Sequence, residues 1–456
     1  MGEIGFLSRS AMAEPRSDRF ERLPTNLTSE SVLLASLALD GSDPSKSNLS
    51  DHQATQLLAS EPSRLRMDRA STLPHMTRFV EEICPIMPYL VASNLTDQYE
   101  EVLSQHGRRG NIENQSSSAL SRFNVCMAVA TGALLSSRSP GKSLLVIRLH
   151  EEAIKQLSMI KMKDETHLVS CILSLTIFAL YSPSGGSSWH LVGLALRKCI
   201  SQGWHRHQEC VGQLTEGDLL SRKRLFWSAY MIDRSLSLVI GRPFSIQDRD
   251  ISISVLKPTE ATSLHCHLIT QARLATDIQV SCRTTLLHDY SNICFWKQWT
   301  GDQDRDSNVK PTVLDHLLQL ECRMLAKITS TQPGHQSPGR HSAAVVREVE
   351  RETIEACARY IDRSYERLQE NNFVGSFIEA YDMFTASLTV VHLKRRDAAC
   401  NTQQQLASMM DLINKSSTLL TAIAERFSVF RSFQRVLLSL SGHLMANPIP
   451  TAQVRY

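Results

Sequence analysis

Arg222-Lys223-Arg224-Leu225-Phe226-Trp227-Ser228-Ala229-Tyr230-Met231-Ile232-Asp233-Arg234, running on to Gly241-Arg242-Pro243, decides the fold of this chain. Leu225, Ala229, Ile232, Leu236 and Val239 advance by steps of four and three residues, the spacing of one helix face. Phe226, Tyr230 and Ile240 flank that face, and Trp227, Met231 and Leu238 cover much of the rest. A helix apolar on most sides is a helix buried on most sides, so other helices must surround it. Thr215 is placed to cap its start, with Glu216 and Asp218 in the first turn, where carboxylates complement the helix dipole. Gly241 suits a left-handed end, and Pro243 prevents continuation.

Working outward, helical patterning begins near Thr77 and dominates the remainder. A second helix is read near the C-terminus, where Leu412, Leu419, Ile423, Phe427 and Phe430 keep similar spacing ahead of Val436-Leu437-Leu438. Polar breaks are expected over 104–118, 300–311 and 329–342, each rich in Gly, Asn, Asp, Ser or Pro. The one strand-like alternation, Ile251-Ser252-Ile253-Ser254-Val255, follows the Gly-Arg-Pro stop and reads as an extended connector. Residues 1–70 are poor in aromatics and rich in Ser, Asp, Arg and Pro, apart from the apolar patch 32–39, and are expected to be mostly disordered. The expected organisation is therefore all-α: a disordered segment over 1–70, a multi-helix domain over 71–445 and a tail over 446–456.

The 456 residues suffice for a large core, and 42% hydrophobic with 21% charged residues fits a globular protein. A net charge of only +3 supplies no global field for nucleic acid or an anionic membrane. The eleven cysteines are odd in number and form no C-x-x-C pair, which reads as buried thiols in a reducing compartment. The N-terminus lacks the charged-then-apolar order of a secretory leader, and Phe6 stands where a myristoylation motif needs Ser or Thr. The longest near-apolar run, 168–181, is too short to cross a bilayer. An intracellular protein with no membrane partner is expected.

Upstream of the opening helix, Ser188-Trp189-His190-Leu191-Val192-Gly193-Leu194-Ala195-Leu196-Arg197 leads to Gln202-Gly203-Trp204-His205-Arg206, and downstream lies Asp248-Arg249-Asp250-Ile251-Ser252-Ile253. With the opening helix, these segments resemble the fungal-specific transcription factor regulatory domain, or middle homology region, of the binuclear zinc cluster family. Trp204 stands where that family usually has Leu. Weaker similarity, in order, extends to Val125–Leu135, which ends in Gly-Ala, and to Ser376–Phe384, so that residues 75–440 are covered. The resemblance implies an all-α fold, a nuclear location and a role in transcription control, and it marks Trp189, Gly193, Gly203, His205, Arg206, Arg224, Trp227, Asp233, Arg234, Gly241, Arg242 and Pro243 as signature residues. These are read as fold-making. Gly193 and Ala195 would permit close helix approach, Gly203 a tight helix end, and His205-Arg206 is placed to meet that helix's terminal carbonyls.

The chain departs from the family in one respect. Members carry an N-terminal cluster of six cysteines, beginning C-x2-C-x6-C, which holds two zinc ions and binds DNA. Here no cysteine precedes Cys84, and no C-x2-C occurs. Arg9, Arg16, Arg19 and Arg22 are balanced by Glu14, Asp18 and Glu21 and form no phosphate grip. The expectation is a regulator reduced to its regulatory domain, reaching DNA only indirectly unless a zinc cluster lies upstream of Met1. It would act on other transcription regulators, on a homo- or heterodimer mate or on transcription machinery, with a small-molecule effector in the helical core, and would control a metabolic or secondary-metabolite gene set.

Rival chemistry is weaker. Ser139-Pro140-Gly141-Lys142-Ser143 resembles the end of a phosphate-binding loop, but Ser136 stands where Gly is needed and no strand precedes it. His205-Arg206-His207 with Cys210, and His265-Cys266-His267, do not supply four convergent zinc ligands locally. His288-Asp289 lacks the companions a metal phosphohydrolase needs, and no Asp-Asp-x-x-Asp or G-x-S-x-G occurs. No catalytic residue, metal or cofactor is assigned. Lys394-Arg395-Arg396 and Arg222-Lys223-Arg224 read as ion-paired or solvated helix ends ahead of import signals. The alternative from another class is an all-α enzyme or scaffold of a biosynthetic pathway with no chromatin role.

Overall fold

A computed structural model describes residues 67–104, 112–136, 140–157, 159–160, 165–207, 215–280, 310–330, 343–396 and 403–446. Among them are thirteen α-helices and no strand. They are α1 Arg69–Glu82, α2 Ala92–Ser104, α3 Ile112–Ser136, α4 Pro140–Leu157, α5 Glu165–Tyr181 and α6 Ser188–Ser201. There follow α7 Glu216–Ile240, α8 Ser263–Val280, α9 Pro311–Ser330, α10 Ala343–Gln369, α11 Phe377–Arg396, α12 Gln403–Ala424 and α13 Arg431–Ala446. The expected N-terminal segment up to residue 66, the tail beyond 446, and the motif residues Cys210 and His288-Asp289 lie outside the described residues.

Two apolar cores organise the helices. The first gathers α1 to α8 and includes the fully buried Phe123, Phe178, Phe226 and Tyr230. The second gathers α10 to α13 around Phe384, Phe430, Phe433 and Leu437. Helix α9 serves both: Leu317, Leu320 and Met324 face the first core, Cys322 and Ala326 the second. Each large side chain so buried contributes about 1.5–3 kcal/mol, which outweighs the modest helix propensity of the β-branched and aromatic residues among them. Helix α7 sits between α5, α6, α8 and α11, as an all-round apolar helix must.

Several boundaries differ from the sequence reading, each for a local reason. Helix α1 starts at Arg69, well before Thr77, and runs through Pro74. Asp68 accepts from the Ser71 amide and the Thr72 hydroxyl donates to the Asp68 carbonyl, so the first turn holds despite the proline. Helix α3 already includes 112–118, so the break expected over 104–118 is shorter than its Ser content suggests. Helix α9 likewise runs on to Ser330. The single C-terminal helix is in fact two, α12 and α13, joined by a short turn of 3₁₀ helix at Ser428–Phe430. The bend places Phe427, Phe430 and Phe433 around Phe377 and Tyr381, at ring-centre distances of 5.1–5.9 Å, and this packing overrides local periodicity.

One contact fixes the first core's geometry. A Cβ placed on Gly132 of α3 would lie 1.9 Å from the His75 carbonyl oxygen of α1, so only glycine lets these two helices meet. Helix segment Ser118–Ser136 is also long and apolar enough to cross a membrane, a candidate the sequence reading passed over, yet 72% of that window is buried within the bundle.

Candidate functional site

Two of the three cations in the first turns of α7, Lys223 and Arg224, are committed to one partner. Lys223 Nζ lies 2.6 Å from Glu260 Oε2, and Arg224 donates through Nε and a terminal nitrogen to the Glu260 carbonyl. A turn later, Trp227 Nε1 donates to the Ser254 carbonyl at 3.1 Å. Tyr230 Oη donates to Asp248 at 2.8 Å. Asp233 accepts from Ser245 Oγ at 2.6 Å and from the Ser245 amide at 3.2 Å. Ser237 Oγ donates to the Pro243 carbonyl at 3.4 Å. Taken in order, residues 243–260 run back along α7 and are fastened to successive turns of it. Residues 251–257 form neither helix nor strand, in keeping with the connector expected over 251–255.

Asp233 and Arg234 form the centre, 0% and 1% exposed. Arg234 donates to Asp233 at 2.8 Å, Asp248 at 2.6 Å, the Ile246 carbonyl at 2.8 Å and Thr276 Oγ1 on α8 at 2.8 Å. Its guanidinium is sandwiched between the Tyr230 ring at 4.0 Å and the Phe244 ring at 4.4 Å. Burial pushes the Asp233 carboxyl above its usual range, while Ser245 and Arg234 oppose that rise. A planar fork meeting four acceptors is what arginine, and not lysine, provides.

Glycine and proline set the reversal. Gly241 has φ +66°, and the amides of Gly241 and Arg242 both reach the Ser237 carbonyl. Arg242 then lies 4.4 Å above the ring of Trp189 on α6. At the end of α6, Gly203 has φ +70°, with Trp204 N bonded to Cys199 O and Gly203 N to Ile200 O, a paired closure of the last turn. Trp204 is buried beneath it, and Arg222 stacks on its ring at 5.8 Å.

Two expectations change. Gly193 meets nothing nearer than 3.5 Å, an ordinary contact, so it does not mark a close helix approach; Gly132 does. His205 and Arg206 do not cap α6 with their side chains. The His205 carbonyl instead accepts the Ser252 and Ile253 amides, which ties the return segment to α6, and Arg206 Nε donates to His205 Nε2 at 3.2 Å. Thr215 caps α7 as expected, and Asp218 also accepts from the Thr215 amide, which makes the cap reciprocal. Pro140 to Ser143 open helix α4, so they do not form a phosphate loop.

All twelve signature residues thus fall on α6, on α7 or on the turns that follow them. Among the described residues, no three His, Cys, Asp or Glu side chains stand close enough to share a metal ion. Six of the seven described cysteines are buried, and burial pushes the Cys84, Cys126 and Cys171 thiols up to about 12.

The family model of the fungal specific transcription factor domain matches residues 76–321, over half of the chain and all of the geometry just described. The chain belongs to that family. Over 138 residues it is 30% identical to a Candida glabrata protein named negative regulator of pleiotropic drug resistance STB5, which covers 29% of the chain and 14% of that relative. Over 137 residues it is 29% identical to protein STB5 of Saccharomyces cerevisiae, covering 29% of the chain and 18% of the relative. Over 87 residues it is 32% identical to an ABC-transporter-regulating transcription factor of Aspergillus oryzae, covering 19% and 10%. The matched stretches span less than a fifth of each of these relatives. The matched stretch includes α7, its return segment and the first half of α9, within which it ends.

A second site had no sequence signal. Where the two cores meet, a cavity of about 130 Å³ is lined by α1, α5 and α7 on one side and α9, α10 and α11 on the other. Its walls include Ile177, Met231, His316, Tyr360 and Arg367. These residues lie far apart in sequence on ordinary amphipathic helices, so neither spacing nor composition joins them.

Proposed function

We propose that this chain is a transcription regulator of the fungal-specific type, located in the nucleus, whose helical domain works by binding other regulators, a dimer mate, transcription machinery or an effector. The family match over 76–321 carries this reading. The signature residues on α7 support it, since Arg224, Trp227, Asp233 and Arg234 serve in fastening the return segment. The regulatory domain is taken to run from about residue 71 to 445, beyond the matched stretch, because α9 belongs to both cores. The controlled genes are taken to be metabolic or secondary-metabolite genes. The relatives named for drug resistance and for ABC-transporter regulation fit a gene set concerned with small molecules. DNA contact is assigned to a partner or to a zinc cluster upstream of the present sequence.

The test is chromatin occupancy and imaging of the tagged full chain, with transcript profiling after deletion. Nuclear signal, enrichment at a limited set of promoters and altered expression of the adjoining genes are expected. Exclusion from the nucleus, or unchanged transcripts on deletion, overturns the reading.

A further inference from the structure

The cavity between the cores is lined by one buried and one half-buried donor whose acceptors are missing or remote. Tyr360 is 3% exposed and lines the cavity, and its hydroxyl has no hydrogen-bond partner among the described residues. A buried hydroxyl in that condition has lost its water without gaining a partner. Two helical turns on, Arg367 has no close polar contact: the Asn372 carbonyl lies at 3.4 Å, Asp315 at 3.5 Å and Glu379 at 4.0 Å, its guanidinium is 5.8 Å from the Phe373 ring, and the Glu82 carboxylate shares the lining. The carboxylates of Asp315 and Glu379 are held more closely by others. Asp315 receives Arg363 Nε at 2.8 Å, and Glu379 accepts the Ser376 amide at 2.6 Å as the cap of α11. By contrast the neighbouring Arg323 is fully matched by Asp382 at 2.8 Å.

The aliphatic part of the lining comes from Ile83, Ile177, Leu180, Met231 and Ile232. The lining joins the Tyr360 phenol and the Arg367 guanidinium with this hydrocarbon and with the carboxylates of Glu82, Asp315 and Glu379, and an occupant with an anionic acceptor on a compact apolar body gives the two donors the close partner they lack. The volume, about 130 Å³, is close to that of a cavity that takes up benzene, so the body is one small ring or a short branched chain. We propose that this cavity binds a small monocarboxylate, its carboxylate received by Tyr360 and Arg367 and its apolar part set against Ile177 and Met231. Such a ligand touches α7 and α10 at once, and so ties the first core to the second. Met231 stands between Tyr230 and Asp233, so the occupant also bears on the helix that fastens the return segment. This deepens the regulator reading, for which it supplies the effector class.

The test uses the purified full chain, with benzoate and isovalerate as probes and benzamide and benzyl alcohol as uncharged controls, in equilibrium dialysis and thermal melting. One acid bound per chain, a raised melting temperature and at least tenfold weaker binding of the controls are expected. Tyr360→Phe removes an oxygen that no protein group uses, so the fold is retained, and it should weaken the acid about tenfold. Arg367→Met should weaken it further. No binding of either acid, equal binding of acid and amide, or unchanged affinity in Tyr360→Phe overturns the proposal. Should Arg367→Met fail to fold, the phenylalanine variant alone decides. Absent binding beside intact promoter occupancy removes the effector and leaves the regulator; binding beside unchanged transcripts on deletion does the reverse.

Discussion

Gly132 and Gly241 show that one residue type is required at two places for unrelated reasons. At Gly132 the demand is spatial, because a Cβ would meet the His75 carbonyl oxygen at 1.9 Å. At Gly241 it is conformational: φ is +66° and nothing lies within 4 Å of a Cβ. Gly132→Ala should therefore cost about 3 kcal/mol or more by forcing α1 from α3, and Gly241→Ala only about 1–2 kcal/mol. Urea unfolding of the two variants checks this, and equal losses would contradict it. The stop at Gly241 was legible because Pro243 follows and the apolar periodicity ends there. Gly132 was legible only as the Gly-Ala of a resemblance, since no sequence pattern reports the carbonyl of a helix 57 residues away. Gly193 was misjudged because small residues on a helix face indicate close approach only where a neighbour arrives.

Helix α7 was read nearly to its ends, from Thr215 to Gly241, because cap, period and stop agree there. Its purpose was less visible. The sequence marked Asp233 and Arg234 as parts of a motif, and the structure shows them as the buried anchor of residues 245–248. Ser245, Thr276 and Glu260 complete the fastening, and as single common polar residues they carried no signal of it. Removing one member of a buried pair strands the other charge, so Arg234→Met should destabilise the chain by about 3–5 kcal/mol. Arg234→Lys should recover only part of this, because an ammonium cannot reach four acceptors as a planar fork does. Chemical denaturation of both variants measures it, and a lysine variant as stable as the parent would refute the anchor. The C-terminal pair α12 and α13 was read as one helix because nothing in Glu425-Arg426-Phe427 breaks a helix locally; the ring cluster with Phe377 and Tyr381 imposes the bend.

At the scale of the whole molecule, the two cores are joined by α9 and by Arg426, which donates to the Tyr181 carbonyl at 3.4 Å and the Leu134 carbonyl at 3.3 Å, near the C-terminal ends of α5 and α3. The all-α class was plain from periodicity, but the division into two cores and the cavity between them depended on long-range packing. Buried and half-buried histidines give the assembly a pH response. His150, stacked on Phe178 at 4.6 Å, and His265, near the Cys84 carbonyl, are shifted downward chiefly by burial, and His267 is lowered to about 3 by the same cause. A ring with a depressed folded-state pKa stabilises fully above the unfolded value near 6.5 and loses that contribution as pH falls toward the folded value. Stability should thus be flat above about pH 7 and decline below about 6.5, by up to about 1.4 kcal/mol per pH unit for each such ring. Urea midpoints between pH 8 and 5 test this; a His267→Gln variant should fall less steeply, and a parent chain whose midpoint rises on acidification would contradict it.

The return of residues 243–260 along α7 also bears on the order of assembly. Its ties join residues 6 to 37 positions apart in the chain, from Ser237 with Pro243 to Lys223 with Glu260. Loops of that length close at small entropic cost, and each closure shortens the next. The family's signature helix and its strap therefore form a low-contact-order unit, able to pre-organise during synthesis while α9 to α13 are still absent and to offer the later helices a finished surface to condense on.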